Sequence, residues 1–389
     1  MADFDHLRRR LDQLEQLGRR RTLSTAVHRG VWLLGRDGRP RVNFGSNDYL
    51  GLAADRIGSP SQRDEPLAGG AAASALVSGW TDRHQDLAER IAALEQTESA
   101  TLFPSGYAAC SGVVATLAAE GDLILSDRLN HASLIDGCRL SRADRQVFPH
   151  RDTHAVQAIL KSQRAKYENV WIVTDSVFSM DGHVAPLETL CNLAERYKAT
   201  MIVDEAHATG VMGATGSGAC EALGVKDRVP IRIGTLSKAI GSQGGFVAGP
   251  TVVIDYLINH CRSLIYSTAL APAAVAAAWT GIGTFSAQPR RRARVGELAR
   301  RLRERLGLID EDSEDSIESS VPIVPLIVGT ATRAVEIARH LSDQGFYVPA
   351  IRPPTVPEGT SRLRVSLSAS HTDTMLDELA DTICDRVLQ

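Results

Sequence analysis

The chain has 389 residues, of which 43% are hydrophobic and 23% charged, and its formal net charge is −3 with a pI near 6.4. This length exceeds the usual size of one domain, so it predicts a large domain together with a smaller one. The charge balance excludes the basic footprint of a nucleic-acid-binding protein. No apolar run approaches the length of a membrane span, so a membrane protein is not expected.

The cysteines are scattered through the chain without a CxxC motif or a Cys/His metal spacing. The sequence therefore predicts a reduced, cytoplasmic protein and gives no indication of a metal site. The first residues are charged and lack the apolar core of a signal peptide, so export is not expected. The six cysteines are Cys110, Cys138, Cys191, Cys220, Cys261 and Cys384.

Leucines at helical spacing near the start predict an N-terminal amphipathic helix that ends at Gly18. From about residue 43 to 285, short β-rich apolar runs alternate with helical patterns. This rhythm predicts a mostly parallel sheet covered by helices. The predicted strands include 123–125, 170–173, 201–203, 231–233 and 246–248.

The segment 290–305 is rich in arginine but carries leucines at helical spacing, so it predicts a helix with a solvated basic face. After an acidic, serine-rich stretch at 310–320, the patterns predict a separate α/β unit. Its elements are a strand at 323–328, a helix at 331–341, a short apolar run at 346–348 and a closing helix through Leu376, Leu379, Ile383 and Val387. The predicted organisation is an N-terminal helix and arm at 1–42, a large domain at 43–285 and a small domain at 286–389.

Ligands of open parallel sheets gather at the carboxyl ends of the strands, so polar residues that directly follow an apolar run are candidates for a site. Lys238 follows the strand at 231–233 and is flanked by hydroxyl residues and glycines, which let a backbone approach an anion closely. A lysine in such a loop could form a covalent link to a carbonyl cofactor. The alternative is an ordinary solvated loop lysine.

Asp204 and His207 follow the strand at 201–203 in the sequence DEAH. Pyridoxal phosphate (PLP) needs a carboxylate at its pyridine nitrogen, and Asp204 is placed to supply one. His207 could then reach the phenolic oxygen of PLP. The alternative is that Asp204 caps a helix and His207 is a core histidine.

Ser105, Gly106 and Tyr107 open a helical pattern that extends to Ala119. A helix N-terminus with a glycine is a phosphate site, although a structural cap explains Ser105 equally well. The imidazole of His131 suits stacking on an aromatic ring. No GxGxxG follows a strand and no P-loop or HExxH is found, so a nicotinamide or nucleotide enzyme is disfavoured.

Nine motifs occur in a fixed order between Asn43 and Arg364, and together they resemble the α-oxoamine synthase family of PLP enzymes. The resemblance implies the PLP-dependent transferase fold type I, with a mostly parallel sheet and a smaller C-terminal α/β domain. It also implies a homodimer that joins an amino acid to an acyl thioester. The motifs are NFGSNDYLGL, LVSG, FPSGYAA, LNHASLIDG, SVFSMDGHVAPL, VDEAHATGVMG, TLSKAIGSQGG, YSTALAP and IRPPTVPEGTSRLR.

The resemblance assigns Lys238 as the lysine that carries PLP, Asp204 as the partner of the ring nitrogen and His207 as the partner of the phenolic oxygen. His131 would stack on the ring and also line the substrate site. The further cofactor contacts implied are Gly106, Tyr107, Ser179 and Thr235, with Ser267 and Thr268 reaching the phosphate of the neighbouring subunit.

The resemblance also implies that Asn47 and Arg364 bind the amino-acid carboxylate, Arg364 through a bidentate fork. Arg21 and Thr355 match substrate-binding positions, although the alignment within Arg19 to Arg21 could slip. The alternative for Arg364 is a surface arginine at a strand end. Three positions depart from the family's pattern, namely Ala75, Asp175 and His183.

Two rival functions stay open at this stage. A PLP aminotransferase or aldolase could share the fold, and a non-catalytic PLP-binding paralogue could act as an interaction protein. The motif around Arg364 and the presence of Asn47 and Thr355 fit the synthases better. A non-enzyme would have little reason to keep Lys238 and Asp204 together.

Overall fold

The computed structural model describes residues 4–55, 68–309 and 316–387. These residues group into two units. The larger unit takes in the described residues within Asp55–Ser179 and His183–Ala293, and the smaller unit those within Met1–Ala54, Met180–Gly182 and Arg294–Gln389. The three-part division at residues 42 and 285 stays a prediction.

The described strands and helices alternate along most of the chain. The strands are β1 Ala26–Arg29, β2 Trp32–Gly35, β3 Pro40–Asn43, β4 Ser99–Phe103, β5 Leu123–Asp127, β6 Asp144–Phe148, β7 Val170–Asp175, β8 Thr200–Asp204, β9 Ile231–Thr235, β10 Gly245–Gly249, β11 Ile323–Gly329, β12 Phe346–Tyr347, β13 Ala350–Ile351 and β14 Ser361–Ser366. The α-helices are α1 Asp5–Gln16, α2 Asp82–Glu95, α3 Gly106–Leu117, α4 Ala132–Leu140, α5 Thr153–Gln163, α6 Leu187–Tyr197, α7 Ala219–Ala222, α8 Thr251–His260, α9 Arg262–Ile265, α10 Pro272–Ala287, α11 Pro289–Arg305, α12 Ala331–Asp343 and α13 Asp373–Val387. A short irregular helix spans Ala75–Gly79.

The larger unit contains a sheet that, within the described residues, has seven strands in the order β4-β10-β9-β8-β7-β5-β6. Strand β10 is antiparallel to both β4 and β9, whereas the neighbours from β9 to β6 are parallel. The mostly parallel sheet and each of the five predicted strands are therefore confirmed. Strand β6, Asp144–Phe148, was missed because it lies at the sheet edge with exposed polar side chains that give no apolar run.

The core of the larger unit lies between the sheet and helices that cover it. Side chains of β5, β7, β8 and β9 are buried together with those of α3, α8 and α9. The central strands read as apolar runs because both of their faces are buried. Asp127, Asp175, Asp204 and Thr235 end four of these strands, so the carboxyl edge of the sheet is polar.

The smaller unit contains two sheets, β1-β2-β3-β12 and β11-β14-β13, among its described residues. The predicted C-terminal elements are confirmed as β11, α12, β12 and α13, but β12 pairs in parallel with the N-terminal strand β3. Residues 310–315 of the acidic stretch and the side chain of Val387 lie outside the description. The N-terminal helix is confirmed as α1, and Gly18 follows it with a φ of 65°.

The prediction of a solvated basic face on α11 is wrong for two of its arginines. Arg303 is 8% exposed and donates to the carbonyls of Ser319, Val321 and Ile323 at 2.8–2.9 Å. Arg292 is also buried and donates to the carbonyl of Ala214 at 2.6 Å. Buried main-chain carbonyls need hydrogen-bond donors, and the long side chains of these two arginines bring guanidinium groups to them.

Among the described residues, no helix is long and apolar enough to cross a bilayer.

Candidate active site

The carboxyl ends of the parallel strands bring three predicted polar positions to one edge of the sheet. Asp175 ends β7 and Asp204 ends β8, and the two residues are direct partners in the parallel register. Thr235 ends the next strand, β9, whose Ile233 pairs with Asp204. The sheet itself therefore places the Asp204 carboxylate beside the segment that leads into Lys238.

The N-terminus of α3 lies at the same edge. Gly245 pairs with Thr235 on one side and with Phe103 on the other, and Phe103 ends the strand that leads into α3. A Cβ at Gly245 would lie 2.6 Å from the carbonyl oxygen of Ser105, and one at Gly106 would lie 3.1 Å from Oγ1 of Thr235. Side chains at these glycines would fill the space above the helix N-terminus, where an anion is stabilised.

Ser105 caps α3, as the structural alternative predicted. Its Oγ accepts a hydrogen bond from the N–H of Ala108 at 3.1 Å. This capping uses one of the orphan N–H groups of the first turn and leaves the others available to a ligand. The cap and a phosphate site are thus compatible.

Lys238 lies half-buried in the loop that follows β9. In this loop Thr235 donates from Oγ1 to the carbonyl of Gly244 at 2.9 Å, and its Oγ1 lies 2.7 Å from Oγ of Ser237. These bonds fix the turn from which Lys238 projects. Burial lowers the pKa of His131 and raises that of Asp175, and the positive charge of Lys238 acts on both groups in the lowering direction, so the amine lies within electrostatic range of the same groups as Asp204.

Asp204 is 4% exposed, and each of its carboxylate oxygens has a protein donor. Oδ1 accepts from the N–H of Ala206 at 2.9 Å, and Oδ2 accepts from the thiol of Cys110 at 3.1 Å. The alternative that Asp204 caps a helix is wrong, because the following residues 206–211 form turns. His207 lies buried within these turns.

His131 caps α4 with its side chain. Its Nδ1 lies 2.7 Å from Oγ of Ser133 and accepts from the N–H of the same residue at 3.3 Å, so Nδ1 carries no proton in this arrangement. Part of the residue is open to solvent, and the ring meets the Tyr107 ring edge-on at a centroid distance of 6.4 Å. The surrounding protein lowers the pKa of His131 first by desolvation, and the Lys238 charge adds to that effect while Asp204 opposes it.

Asp175 belongs to this group, although the sequence indicated no role for it beyond a polar position after a strand and a departure from the family pattern. It is 3% exposed, and its Oδ2 accepts from the backbone N–H of His131 at 2.6 Å. Burial raises the pKa of Asp175 well above its usual value, and the neighbouring Asp204 charge raises it further. The carboxyl group therefore anchors the backbone of the residue expected to stack on the cofactor.

The remaining predicted cofactor positions of the larger unit are more exposed. The hydroxyl of Tyr107 hydrogen-bonds Oδ2 of Asp136, and Ser179 is half-buried at the end of the segment after β7. Thr268 forms an isolated antiparallel bridge with Ser74, and Ser267 precedes it.

The smaller unit buries Arg364 on β14, so the alternative of a surface arginine is wrong. Arg364 is 4% exposed, and it donates to Oδ1 of Asn47 at 3.1 Å and to Oγ of Ser366 at 2.7 Å. Its second nitrogen donates to the hydroxyl of Tyr49 at 3.4 Å. The structure thus brings the predicted pair Asn47 and Arg364 together. Tyr49 was not predicted, although it lies in the same NFGSNDYLGL motif.

Arg21 and Thr355 also meet in the smaller unit. Nη2 of Arg21 donates to Oγ1 of Thr355 at 2.9 Å, and both residues are exposed. Arg19 instead pairs with Glu358 at 2.6 Å. Of the arginines at 19–21, Arg21 is therefore the one that contacts the other predicted substrate residue.

Ala75 and His183, which like Asp175 depart from the family's pattern, have different surroundings. Ala75 begins the irregular helix Ala75–Gly79. Nδ1 of His183 lies 3.0 Å from Nε2 of His150, whose Nδ1 lies 3.0 Å from Oδ1 of Asp127. This chain of three side chains connects the turn after β7 to the end of β5.

The residues of the larger unit fit PLP. A glycine-lined helix N-terminus can take its phosphate, a buried carboxylate can take its ring nitrogen, and the amine of Lys238 can take its aldehyde carbon. The cradle is tight, because a Cβ at Gly245 would lie within 2.7 Å of the N–H nitrogen of Gly106.

Comparison with known proteins agrees with this chemistry. The sequence profile of the family Aminotransferase class I and II matches residues 39–383. The chain belongs to this family. It is 42% identical over 384 residues to the 8-amino-7-oxononanoate synthase of Lysinibacillus sphaericus, with 97% of each chain covered. It is 41% identical to 8-amino-7-oxononanoate synthase 2 of Bacillus subtilis (strain 168), over 97% of this chain and 96% of that one.

A solved serine palmitoyltransferase from S. paucimobilis with bound PLP has a TM-score of 0.87 to this chain. The two are 27% identical, and the match covers 97% of this chain and 96% of the other. The predicted resemblance to the α-oxoamine synthases and the predicted fold type I are thereby confirmed. The same family membership confirms that the chain is an enzyme of the PLP-dependent class.

Proposed function

We propose that the protein catalyses the decarboxylative condensation of L-alanine with a pimeloyl thioester. The products are 8-amino-7-oxononanoate, CO2 and the free thiol, as in biotin synthesis. The observation that carries the proposal is the identity of 42% over nearly the whole chain to a relative named for this activity. The contacts of Arg364 with Asn47 and of Arg21 with Thr355 support it, because the resemblance assigns all four residues to substrate binding.

PLP, when bound, supplies an electron sink for the carbanion formed at the substrate α-carbon. The amine of Lys238 removes the α-proton, because it lies at the edge where the ring is held. The carboxylate of Asp204 keeps a proton on the ring nitrogen. The ring of His131 stacks on the cofactor in this proposal. The backbone N–H of His131 donates to Oδ2 of Asp175 at 2.6 Å, which fixes its position.

The further residues have binding roles in this proposal. His207 holds the phenolic oxygen, and Gly106, Tyr107, Ser179 and Thr235 contact the cofactor. Arg364 and Asn47 bind the α-carboxylate of alanine, while Arg21 and Thr355 bind the acyl substrate. The deprotonated α-carbon then bonds to the acyl carbonyl carbon, the thiolate leaves, and the carboxylate is lost as CO2 before a proton returns to the same carbon.

The test is a substrate panel with purified protein. We expect free thiol and CO2 to be released in equal amounts from L-alanine with pimeloyl-CoA, and the amino ketone to be found by mass spectrometry. Release with serine or glycine and another acyl-CoA, but not with this pair, would contradict the proposed substrates and leave the reaction class intact. Formation of a keto acid without thiol release would instead indicate an aminotransferase.

A second substrate pair has a specific observation in its favour. One of the similar solved structures is a serine palmitoyltransferase, so serine with a long-chain acyl-CoA belongs in the same panel. This chain is 27% identical to the serine palmitoyltransferase and 42% identical to the 8-amino-7-oxononanoate synthase, so serine with a long-chain acyl-CoA is the second candidate pair. The ratio of kcat/KM for the two pairs decides between them.

We further propose a cytoplasmic homodimer in which Ser267 and Thr268 reach the phosphate site of the partner. Apolar side chains beside these residues are exposed, with Leu76 at 53%, Val77 at 80% and Tyr266 at 73%. A contiguous exposed apolar patch is typical of an interface. Sedimentation of the holoenzyme should give twice the chain mass.

A mixing experiment tests the shared site. A Lys238→Ala chain and a Thr268→Val chain should each be impaired alone, but a mixed dimer should regain one intact site if Thr268 acts across the interface. If Thr268 acts within its own chain, the mixed dimer stays inactive at both sites.

A further inference from the structure

Cys110 contacts the carboxylate that the proposed reaction depends on. It lies in the second turn of α3, and its Sγ donates to Oδ2 of Asp204 at 3.1 Å. Both residues are buried, with 2% and 4% of their surfaces exposed. The bond is therefore shielded from water and belongs to the fixed surroundings of Asp204.

The direction of this hydrogen bond follows from the chemistry of the two groups. An ionised carboxylate can only accept, so the thiol must be the donor. Burial and the adjacent Asp204 charge raise the pKa of the Cys110 thiol well above its usual value. The sulfur thus keeps its proton, and no second negative charge forms beside Asp204.

The two donors to Asp204 come from different parts of the fold. Ala206 belongs to the turn after β8, whereas Cys110 belongs to α3, whose first residue is Gly106. Helix α3 is also the element whose N-terminus fits a phosphate. Cys110 therefore fixes the distance between the helix that would hold the phosphate and the carboxylate that would hold the ring nitrogen.

A thiol is a weaker hydrogen-bond donor than a hydroxyl or an amide. A strong donor to a carboxylate lowers its proton affinity, and the absence of a donor raises it. The residue at position 110 thus limits the movement of the Asp204 carboxylate, and the strength of its donor group is the property that a substitution there changes.

We propose that Cys110 is a positioning residue for Asp204, which orients the carboxylate through a weak S–H hydrogen bond so that it can accept from the ring nitrogen of PLP. This inference rests on the proposed function of Asp204 as the partner of that nitrogen. It concerns the holoenzyme and assigns Cys110 no contact with substrate.

The experiment compares Cys110→Ser and Cys110→Ala with Cys191→Ser and Cys191→Ala. Cys191 is fully buried on α6 in the same unit, so it reports the general cost of changing a buried cysteine. The pH titration of the visible absorbance of bound PLP is measured for each holoenzyme, together with the PLP dissociation constant and the kinetics with alanine.

We expect the titration midpoint to move in opposite directions in Cys110→Ser and Cys110→Ala, because one strengthens the donor and the other removes it. Turnover of the alanine variant should fall about two- to tenfold with little change in the KM for alanine, as for the loss of one modest hydrogen bond. The Cys191 variants should keep the wild-type midpoint. A purely structural role for Cys110 would change stability without these opposite shifts.

A second measurement does not use turnover as its readout. The S–H stretching band of Cys110, identified by its loss in Cys110→Ser, should shift in the infrared spectrum when Asp204 is replaced by asparagine. Wild-type midpoints in both Cys110 variants, or an S–H band unaffected by Asp204→Asn, would overturn the inference. If Asp204→Asn itself leaves the PLP titration unchanged, the proposed function of Asp204 fails instead.

Discussion

Replacing Arg364 should weaken amino-acid binding selectively. Its guanidinium is buried and held by Asn47, Ser366 and Tyr49 at 3.1, 2.7 and 3.4 Å, so its orientation is set before substrate arrives. If this fork binds the α-carboxylate, Arg364→Ala removes a charge-assisted pair worth about 1.5–3 kcal/mol. The KM for alanine should then rise about ten- to a hundredfold.

The same substitution also has a cost in folding stability. Ser366 is 1% exposed, so its Oγ loses a donor in a place that water reaches poorly, whereas the hydroxyl of Tyr49 keeps its hydrogen bond to Oδ1 of Asn47 at 3.2 Å. Unsatisfied buried groups cost about 1–3 kcal/mol each. Arg364→Lys keeps the charge but not the fork, and we expect it to retain the fold and still bind alanine poorly.

The assay is a separate titration of each substrate against wild type and variants. Arg362 provides the matched control, because it lies two residues earlier on β14 and pairs with Asp181. Arg362→Lys should affect the midpoint of thermal unfolding and leave the KM for alanine nearly unchanged. Equal weakening for alanine and acyl-CoA, or an unchanged KM for alanine in a folded Arg364 variant, would refute the assignment.

Four further outcomes are expected. Lys238→Ala should lose the visible absorbance of bound PLP and all turnover while circular dichroism stays native, and borohydride labelling of another lysine in wild type would contradict the assignment. Asp204→Asn should raise the activation free energy of turnover by about 1.4–4 kcal/mol. A near-normal kcat would instead indicate that another residue is the partner of the ring nitrogen. Burial lowers the pKa of His371 from 6.5 to about 4, so its contribution to stability is present above pH 6.5 and is lost as the pH falls toward 4. In denaturant unfolding, the free energy of unfolding of wild type should fall by roughly 3 kcal/mol more than that of His371→Gln as the pH falls from 6.5 toward 4. Arg303→Met should lower the unfolding free energy by several kcal/mol because it removes three buried hydrogen bonds to main-chain carbonyls, against less than about 0.5 kcal/mol for the exposed Arg290→Ala, and similar values for both would contradict the buried role of Arg303.

The apolar patterns of the chain were sufficient to predict the central strands, since residues buried on both faces must be apolar whatever their neighbours are. They were also sufficient for the helices at both ends, because an amphipathic helix repeats within a few turns. The polar residues after β8 and β9 could be predicted as site candidates, because parallel strands end at a common edge. Motif order then supplied the family.

Contacts between distant segments could not be read from such local patterns. Strand β12 pairs with β3, which precedes it by about 300 residues, and no periodicity encodes that choice of partner. Arg303 looks like its exposed neighbours in sequence, and only the carbonyls that surround it in the fold make it a buried donor. The thiol of Cys110 likewise gains its meaning from Asp204, a residue 94 positions away. Local propensity and the spacing of apolar residues are properties of a segment, so the sequence by itself determined the elements that depend on them. Hydrogen-bond partners are properties of the packed chain, so only the tertiary structure decided them.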